Sequence, residues 1–297
     1  MHVASGRWLY GFLLALTTTI LWGVLPIMLK AVLEVMDPYT VTWYRLFSAG
    51  IVLFCWLAAK RRLPSIKALS VRNRGLLLVA VLGLAFNYVL YVMALQRLTP
   101  GTMQLIIQVA PVLLMFGSML VFRERFGIGQ VIGLLILIPG FALFFNQRLM
   151  ELMTQLSSYT LGILIALVSA LSWALYGLAQ KQLLTIWSSV TVMMVIYLAC
   201  SLLLWPLASP LEILQLSTLQ RWLLLGCCLN TLVAYGAFAE ALAHWEASRV
   251  SATVATTPLF TFSMVALGSM LWPSLIEPEL LNSLAYLGAL MVVSGSA

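Results

Sequence analysis

The sequence predicts an all-α integral membrane protein: ten transmembrane helices arranged as two inverted five-helix repeats. Three observations carry that prediction. The chain is 63% hydrophobic and 8% charged, with a mean hydropathy of +1.05. Its apolar runs have helix length and are parted by short polar breaks. Trp, Lys, Pro and Gly residues recur at fixed offsets between the two halves.

A soluble domain is about a quarter charged, because water must wet its surface. This chain cannot cover such a surface, so most of its solvent is lipid. Crossing ~30 Å of hydrocarbon takes about 20 apolar residues as a helix. Backbone groups in lipid must be satisfied within the fold, which leaves helices or closed barrels. Barrel strands would be ~10 residues long with alternating polarity, and the runs do not alternate.

Ten runs follow in order. Span 1 covers 8–30 and ends on Lys30. Its apolar stretch is too long, and lacks the small-residue cleavage site, for a removed signal peptide, so it is expected to stay as an uncleaved anchor. Span 2 (40–59) carries Arg45 about a turn and a half in. Spans 3 (75–96) and 4 (101–122) follow, the latter with Pro111 near its middle, and span 5 covers 128–147. Span 6 (160–181) ends on Lys181, spans 7 and 8 cover 188–208 and 221–243, and span 9 (249–272) has Pro258 near its middle. Span 10 (283–297) is short, so either the chain stops early or the bilayer thins around it.

The net charge of +7 is read from its placement. Lys60, Arg61, Arg62, Lys67, Arg72 and Arg74 share the loop between spans 2 and 3. Lys and Arg concentrate in cytoplasmic loops, so that loop and both termini are expected in the cytoplasm of a bacterial inner membrane. Eleven of the sixteen basic residues then lie inside; Lys30, Arg97, Arg148 and Arg221 lie outside, and Arg45 lies within a span. This is a topological signal, and no nucleic-acid partner is expected. The expected partners are the bilayer and a small-molecule substrate. Cys55, Cys200, Cys227 and Cys228 fall inside spans as small apolar fillers. With no metal-ligand spacing in view, neither a metal nor a cofactor is expected.

At an offset of 151, Gly11 matches Gly162, Trp22 matches Trp173, and Lys30 matches Lys181. At 147, Tyr88 meets Tyr235, Ala94-Leu95 meets Ala241-Leu242, and Pro111 meets Pro258. At 155, Gly133 pairs with Gly288 and Gly140 with Gly295. Residues 1–150 and 151–297 are therefore read as two copies of one five-helix unit. Five is odd, so the second copy enters from the opposite side. Inverted repeats of this kind recur in secondary transporters, where exchanging the conformations of the halves turns a cavity from one side to the other.

The motifs "WGVLPIMLK" (22–30), "YRLFSAGIVL" (44–53), "ALQRLTPGTMQLIIQVAPVL" (94–113) and "FRERFGIGQVIGLLILIPG" (122–140) carry a likeness. On them the chain resembles the drug/metabolite transporter superfamily, specifically the EamA-type permeases with two five-helix repeats. The first copy matches better. The stretch "LGSMLWPSLIEPELLNSLAYLGALMVVSG" (267–295) keeps the glycines but has an insertion and lacks the Arg-Glu pair. The resemblance implies export or exchange of small metabolites.

Ionisable groups within a span are costly and suggest a cavity or a partner. Arg45 has two readings: a carboxylate or phosphate anchor, or a structural pair with Glu34, Asp37 or helix-end carbonyls. Lys30 and Lys181 either snorkel to the interface at helix C-termini or guard opposite mouths of one pathway. Pro111 and Pro258 should kink spans 4 and 9, and interruptions at matching positions point to a transporter's binding site; both are candidate hinges.

Gln104, Gln108 and Pro111 share one face of span 4, and span 9 answers with Ser251, Thr253, Thr256 and Thr257. Bonding between helices is the competing use of these groups. Span 3 offers Asn87, Tyr88 and Tyr91; span 8 offers Asn230, Tyr235 and Phe238. With Trp22, Trp173 and Tyr176 they suggest an aromatic-lined cavity with a few amides and hydroxyls. Trp8, Trp43, Trp56 and Trp272 are assigned to the headgroup level instead.

All nine acidic residues lie in loops or near span ends, and neither His2 nor His244 is central, so proton coupling has no support. There is no H-E-x-x-H, no G-x-S-x-G and no phosphate-binding loop. The expectation is a non-enzymatic secondary transporter, an exporter or exchanger of a small neutral or zwitterionic metabolite such as an amino acid. The alternatives are a membrane scaffold or receptor and an integral-membrane enzyme.

Overall fold

A computed structural model describes residues 7–65, 69–122, 127–273 and 275–296. His2, Lys67, the Arg123-Glu124 pair and Arg125 lie outside the described residues. The described chain is built of α-helices joined by short connections, with two 3₁₀ turns at Trp205–Leu207 and Pro210–Leu214.

In order, the helices are α1 (Trp8–Val32), α2 (Pro38–Ala59), α3 (Val71–Leu95), α4 (Pro100–Ile106), α5 (Val109–Phe122), α6 (Ile128–Phe144) and α7 (Leu149–Thr154). After them come α8 (Ser158–Leu183), α9 (Ser189–Leu204), α10 (Thr218–His244), α11 (Ala247–Ala255), α12 (Thr257–Leu271) and α13 (Ser283–Ser296). Starts are fixed by local chemistry. Asp37, Ser70, Thr99, Ser157, Ser188 and Ser217 each accept a first-turn N–H with the side chain. Pro38 and Pro100 occupy first-turn positions where the missing N–H costs nothing.

Among the described residues, eight segments are long and apolar enough to cross a membrane, counting α4 with α5 and α11 with α12 as one each; α6 and α13 are shorter apolar helices. Leu120, Leu135, Leu202 and Trp222 are among the many large apolar side chains pointing out of the bundle, as lipid-facing residues should. Trp8, Trp56 and Trp272 are exposed, whereas Trp43 is buried, stacked on Phe47 at 4.8 Å and packed against Trp205 at 5.3 Å. The small helix α7 and the 3₁₀ turns have no counterpart in the sequence expectation.

Helices pair in a reciprocal pattern: α1 with α10 and α3 with α8, α2 with α9, α6 with α13, α12 with α1 and α5 with α8. Individual contacts repeat at the sequence offsets. The Thr18 hydroxyl donates to the Ala234 carbonyl (3.2 Å), and the Ser169 hydroxyl, 151 positions on, donates to the Asn87 carbonyl (3.0 Å), which is 147 before Ala234. Gly11 abuts Trp245, and Gly162 abuts Leu98, at the same two offsets. α6 and α13 approach backbone to backbone: a Cβ on Gly288 would lie 2.3 Å from the Phe144 nitrogen and 2.6 Å from the Gly140 oxygen. Small residues permit this in membranes, where packing rather than water exclusion joins helices.

Spans 4 and 9 are not merely kinked but broken. α4 ends at Ile106 and α5 starts at Val109, two residues before Pro111; α11 ends at Ala255 and α12 starts at Thr257, next to Pro258. Proline cannot supply the N–H that the preceding turn needs, but it fits the first turn of a new helix. At the second break hydroxyls add bonds to the last carbonyls of α11: Thr256 donates to the Thr253 carbonyl (2.6 Å), and Thr257 to that of Val254 (2.5 Å). The two breaks touch. Gln108 Nε2 donates to the Ala255 carbonyl at 2.8 Å, and these residues match each other at the 147 offset.

Candidate functional site

The breaks border a cavity of about 740 Å³, within the usual size for a small-molecule site. Among the described helices, all but α7 line it. Its lining is exposed at one end, with Gln130, Lys181 and Leu184 around the start of α6 and the end of α8. At the other end Leu25, Arg45, Asn230 and Thr231 are buried. The cavity therefore opens at one end of the bundle and is closed at the other.

The structure brings most of the expected site residues to this cavity. Trp22, Arg45, Asn87, Tyr88, Tyr91, Gln104, Gln108, Trp173, Tyr176, Lys181, Asn230, Tyr235 and Thr257 line it, as does Pro111. Pro258 is buried behind the wall. Trp22 forms an aromatic corner with Tyr235 (5.2 Å between centroids) and Phe238 (5.7 Å). Several amides also bridge helices. Gln104 donates to the Trp22 carbonyl (2.8 Å) and accepts from the Tyr91 hydroxyl (3.2 Å). Asn87 donates to the Ser169 carbonyl and hydroxyl, both at 3.0 Å, and Asn230 donates to the Leu21 carbonyl.

Lys30 is the correction. It lies outside the cavity lining, and its Nζ donates to the carbonyls of Leu98 (2.6 Å) and Leu95 (3.4 Å). The C-terminus of α3 presents carbonyls with no intrahelical partner, and an ammonium group is suited to meet them. Its sequence partner Lys181 stands at the open mouth.

Arg45 is deeply buried, 4% exposed. Its Nε donates to the Thr231 hydroxyl at 3.1 Å, which in turn donates to the Cys227 carbonyl at 3.0 Å. Its guanidinium carbon lies 4.6 Å from the centre of the Tyr88 ring. Neither proposed carboxylate partner is engaged with it. Asp37 Oδ1 caps α2 through the Tyr39 and Thr40 N–H groups, and Oδ2 takes the Thr40 hydroxyl (2.5 Å). Glu34 lies beside Gln220.

Glu279 escaped the sequence reading. Its carboxylate accepts the N–H groups of Gly101 (3.2 Å) and Thr102 (3.0 Å), the Thr102 hydroxyl (3.1 Å) and the Thr99 hydroxyl, so it closes the first turn of α4 from the α12–α13 connection. Burial pushes its pKa up; the bonds from Thr102 and Gly101 and nearby Lys30 pull the other way. A signal existed: at the 155 offset Glu279 matches Glu124, each nine residues before a matched glycine.

The sequence pattern of the EamA-like transporter family matches residues 9–146 and 160–297. The chain belongs to the EamA-like transporter family. Within curated proteins it is 45% identical to the Escherichia coli (strain K12) "uncharacterized inner membrane transporter YhbE", over 96% of this chain and 89% of that one. It is 36% identical to an "uncharacterized transporter" of Haemophilus influenzae, over 97% and 94% of the two chains. A solved crystal structure shares the fold of this EamA-like transporter with a TM-score of 0.67, at 16% identity over 97% of this chain and 96% of that one. The lining described above thus belongs to a multi-pass membrane transporter.

Proposed function

We propose that the chain is a secondary transporter, an exporter or exchanger, that carries a small neutral or zwitterionic metabolite such as an amino acid across the bacterial inner membrane by alternating access. Residues 1–150 and 151–297 act as inverted five-helix repeats making ten crossings, with both termini in the cytoplasm. The observation that carries the reading is the one-ended cavity bordered by two spans broken at matched positions and joined there by Gln108 and Ala255. In transporters, midplane sites are typically formed by interrupted helices. The recurrence of contacts at the offsets 151 and 147 supports the repeat.

In this reading the cavity faces the cytoplasm. The aromatic corner and the amides hold the solute, Pro111 and Pro258 permit the half-helices to hinge, and Lys181 stands at the inner mouth while Lys30 belongs to the outer closure. The test is uptake and counterflow in proteoliposomes, with an amino-acid panel and with and without a pH gradient. Saturable flux above empty vesicles is expected. Flux absent across the panel and across other small metabolites would favour a scaffold or receptor. Tags at the two termini should report the same side.

A further inference from the structure

Arg45 is a buried cation that the described protein leaves electrically unanswered. A guanidinium has five N–H donors. Thr231 takes the Nε proton, and the Tyr88 ring covers one face. The terminal nitrogens have no acceptor among the described residues, and no described carboxylate lies within 4.0 Å of them. The described lining of the cavity contains neither Asp nor Glu. Because Thr231 commits its own proton to Cys227, its lone pairs are turned to Arg45, so the guanidinium is held in one orientation. A buried charge is expensive unless paired, and here it is pre-set at the closed end of a wide cavity.

We propose that this closed end is a carboxylate subsite, where the terminal N–H groups of Arg45 take the two oxygens of the solute's carboxylate while its apolar body lies along the aromatic and aliphatic wall. The inference rests on the transport reading and names the chemical class of its solute. A planar fork suits a carboxylate bidentately. One guanidinium balances one negative charge; a phosphate monoester carries nearly two, and Lys181, the other basic residue of the described lining, stands at the opposite end. Trp22, Tyr235, Leu25, Ile107 and Leu114 supply the apolar wall.

Thermal unfolding of the purified full-length protein tests this with C2–C9 monocarboxylates, the standard amino acids, and the amides of the same compounds, for instance leucine against leucinamide and 4-methylpentanoate against 4-methylpentanamide. Acids should raise Tm and their amides should not. Arg45→Gln should weaken the best acid by at least about tenfold in Kd, with Arg45→Lys retaining part of the affinity. Amides that protect as well as acids overturn the proposal, as do undiminished acid binding by Arg45→Gln or no protection by any acid. The acid–amide comparison needs only the wild-type chain, so a poorly folding variant does not blunt it. Liposome flux separates the two readings. Arg45-dependent acid binding without flux keeps the subsite and sinks the transporter; flux of solutes lacking a carboxylate, without acid binding, does the reverse.

Discussion

Replacing Glu279 by alanine removes the acceptor on which the first turn of α4 depends. Gly101 and Thr102 are buried and their N–H groups have no partner within the helix. A buried donor left unmet costs about 1–3 kcal/mol. The Thr99 hydroxyl, which already accepts the Thr102 N–H at 3.4 Å, keeps one of the two satisfied. The other remains, and two hydroxyl bonds to the carboxylate are lost as well, so the local loss should be about 2 kcal/mol or more. Since 1.4 kcal/mol is tenfold in an equilibrium, amide exchange at Gly101 and Thr102 should rise by roughly thirty-fold. Hydrogen exchange read by mass spectrometry on a peptide spanning 96–108 measures this directly. Faster exchange should be confined to α4 and the α12–α13 connection, with α8 and α9 unchanged. Unchanged exchange in α4 would refute the claim that Glu279 closes this end.

Glu279 also sets a pH dependence. Its pKa in the folded chain is raised above the ordinary 4.5 by burial, so its favourable contribution is full below that ordinary value and is lost as pH rises through the raised one. The Tm advantage of wild type over Glu279→Gln should therefore shrink across that window; an advantage that grows with pH contradicts the assignment. Pro111→Ala and Pro258→Ala should slow flux per folded molecule more than they lower folding or insertion, and equal flux would remove the hinge. Gln108→Leu removes bonds to Ala255 (2.8 Å) and Ser296 (2.9 Å), which at about 1 kcal/mol each should lower unfolding stability by roughly 2 kcal/mol. Gly288→Ala should cost about 1–3 kcal/mol by overpacking α6 against α13, whereas Gly75→Ala, inside α3 with nothing within 4 Å of the added carbon, should raise stability by about 0.4–1 kcal/mol and lift Tm.

The spans were legible because lipid imposes a single rule, about 20 apolar residues per crossing, and eight of the described segments obey it, α6 and α13 falling short. The broken spans were legible as kinks, through Pro111 and Pro258, since proline acts on its own local backbone. The cavity wall was legible because a polar or aromatic group in such a helix has few places to go except inward. Lys30 shows where that logic stops. Its sequence signal equals that of Lys181, and only the nearness of the α3 carbonyls, set by packing between distant helices, sends it elsewhere. Glu279 failed differently. It lies in a loop by sequence, and its burial arises because α4 begins beneath that loop.

The touching breaks have a mechanical consequence. Gln108 and Ala255 occupy corresponding places in the two halves, so under the alternating-access reading proposed above an exchange of the halves' shapes returns this pair of positions to itself, whereas Lys30 and Lys181 trade surroundings. A lever needs one point that stays put, and in that reading the contact between these two positions is the fulcrum. On the same reading, loss of the bond from Gln108 to Ala255 should alter how fast the molecule rocks.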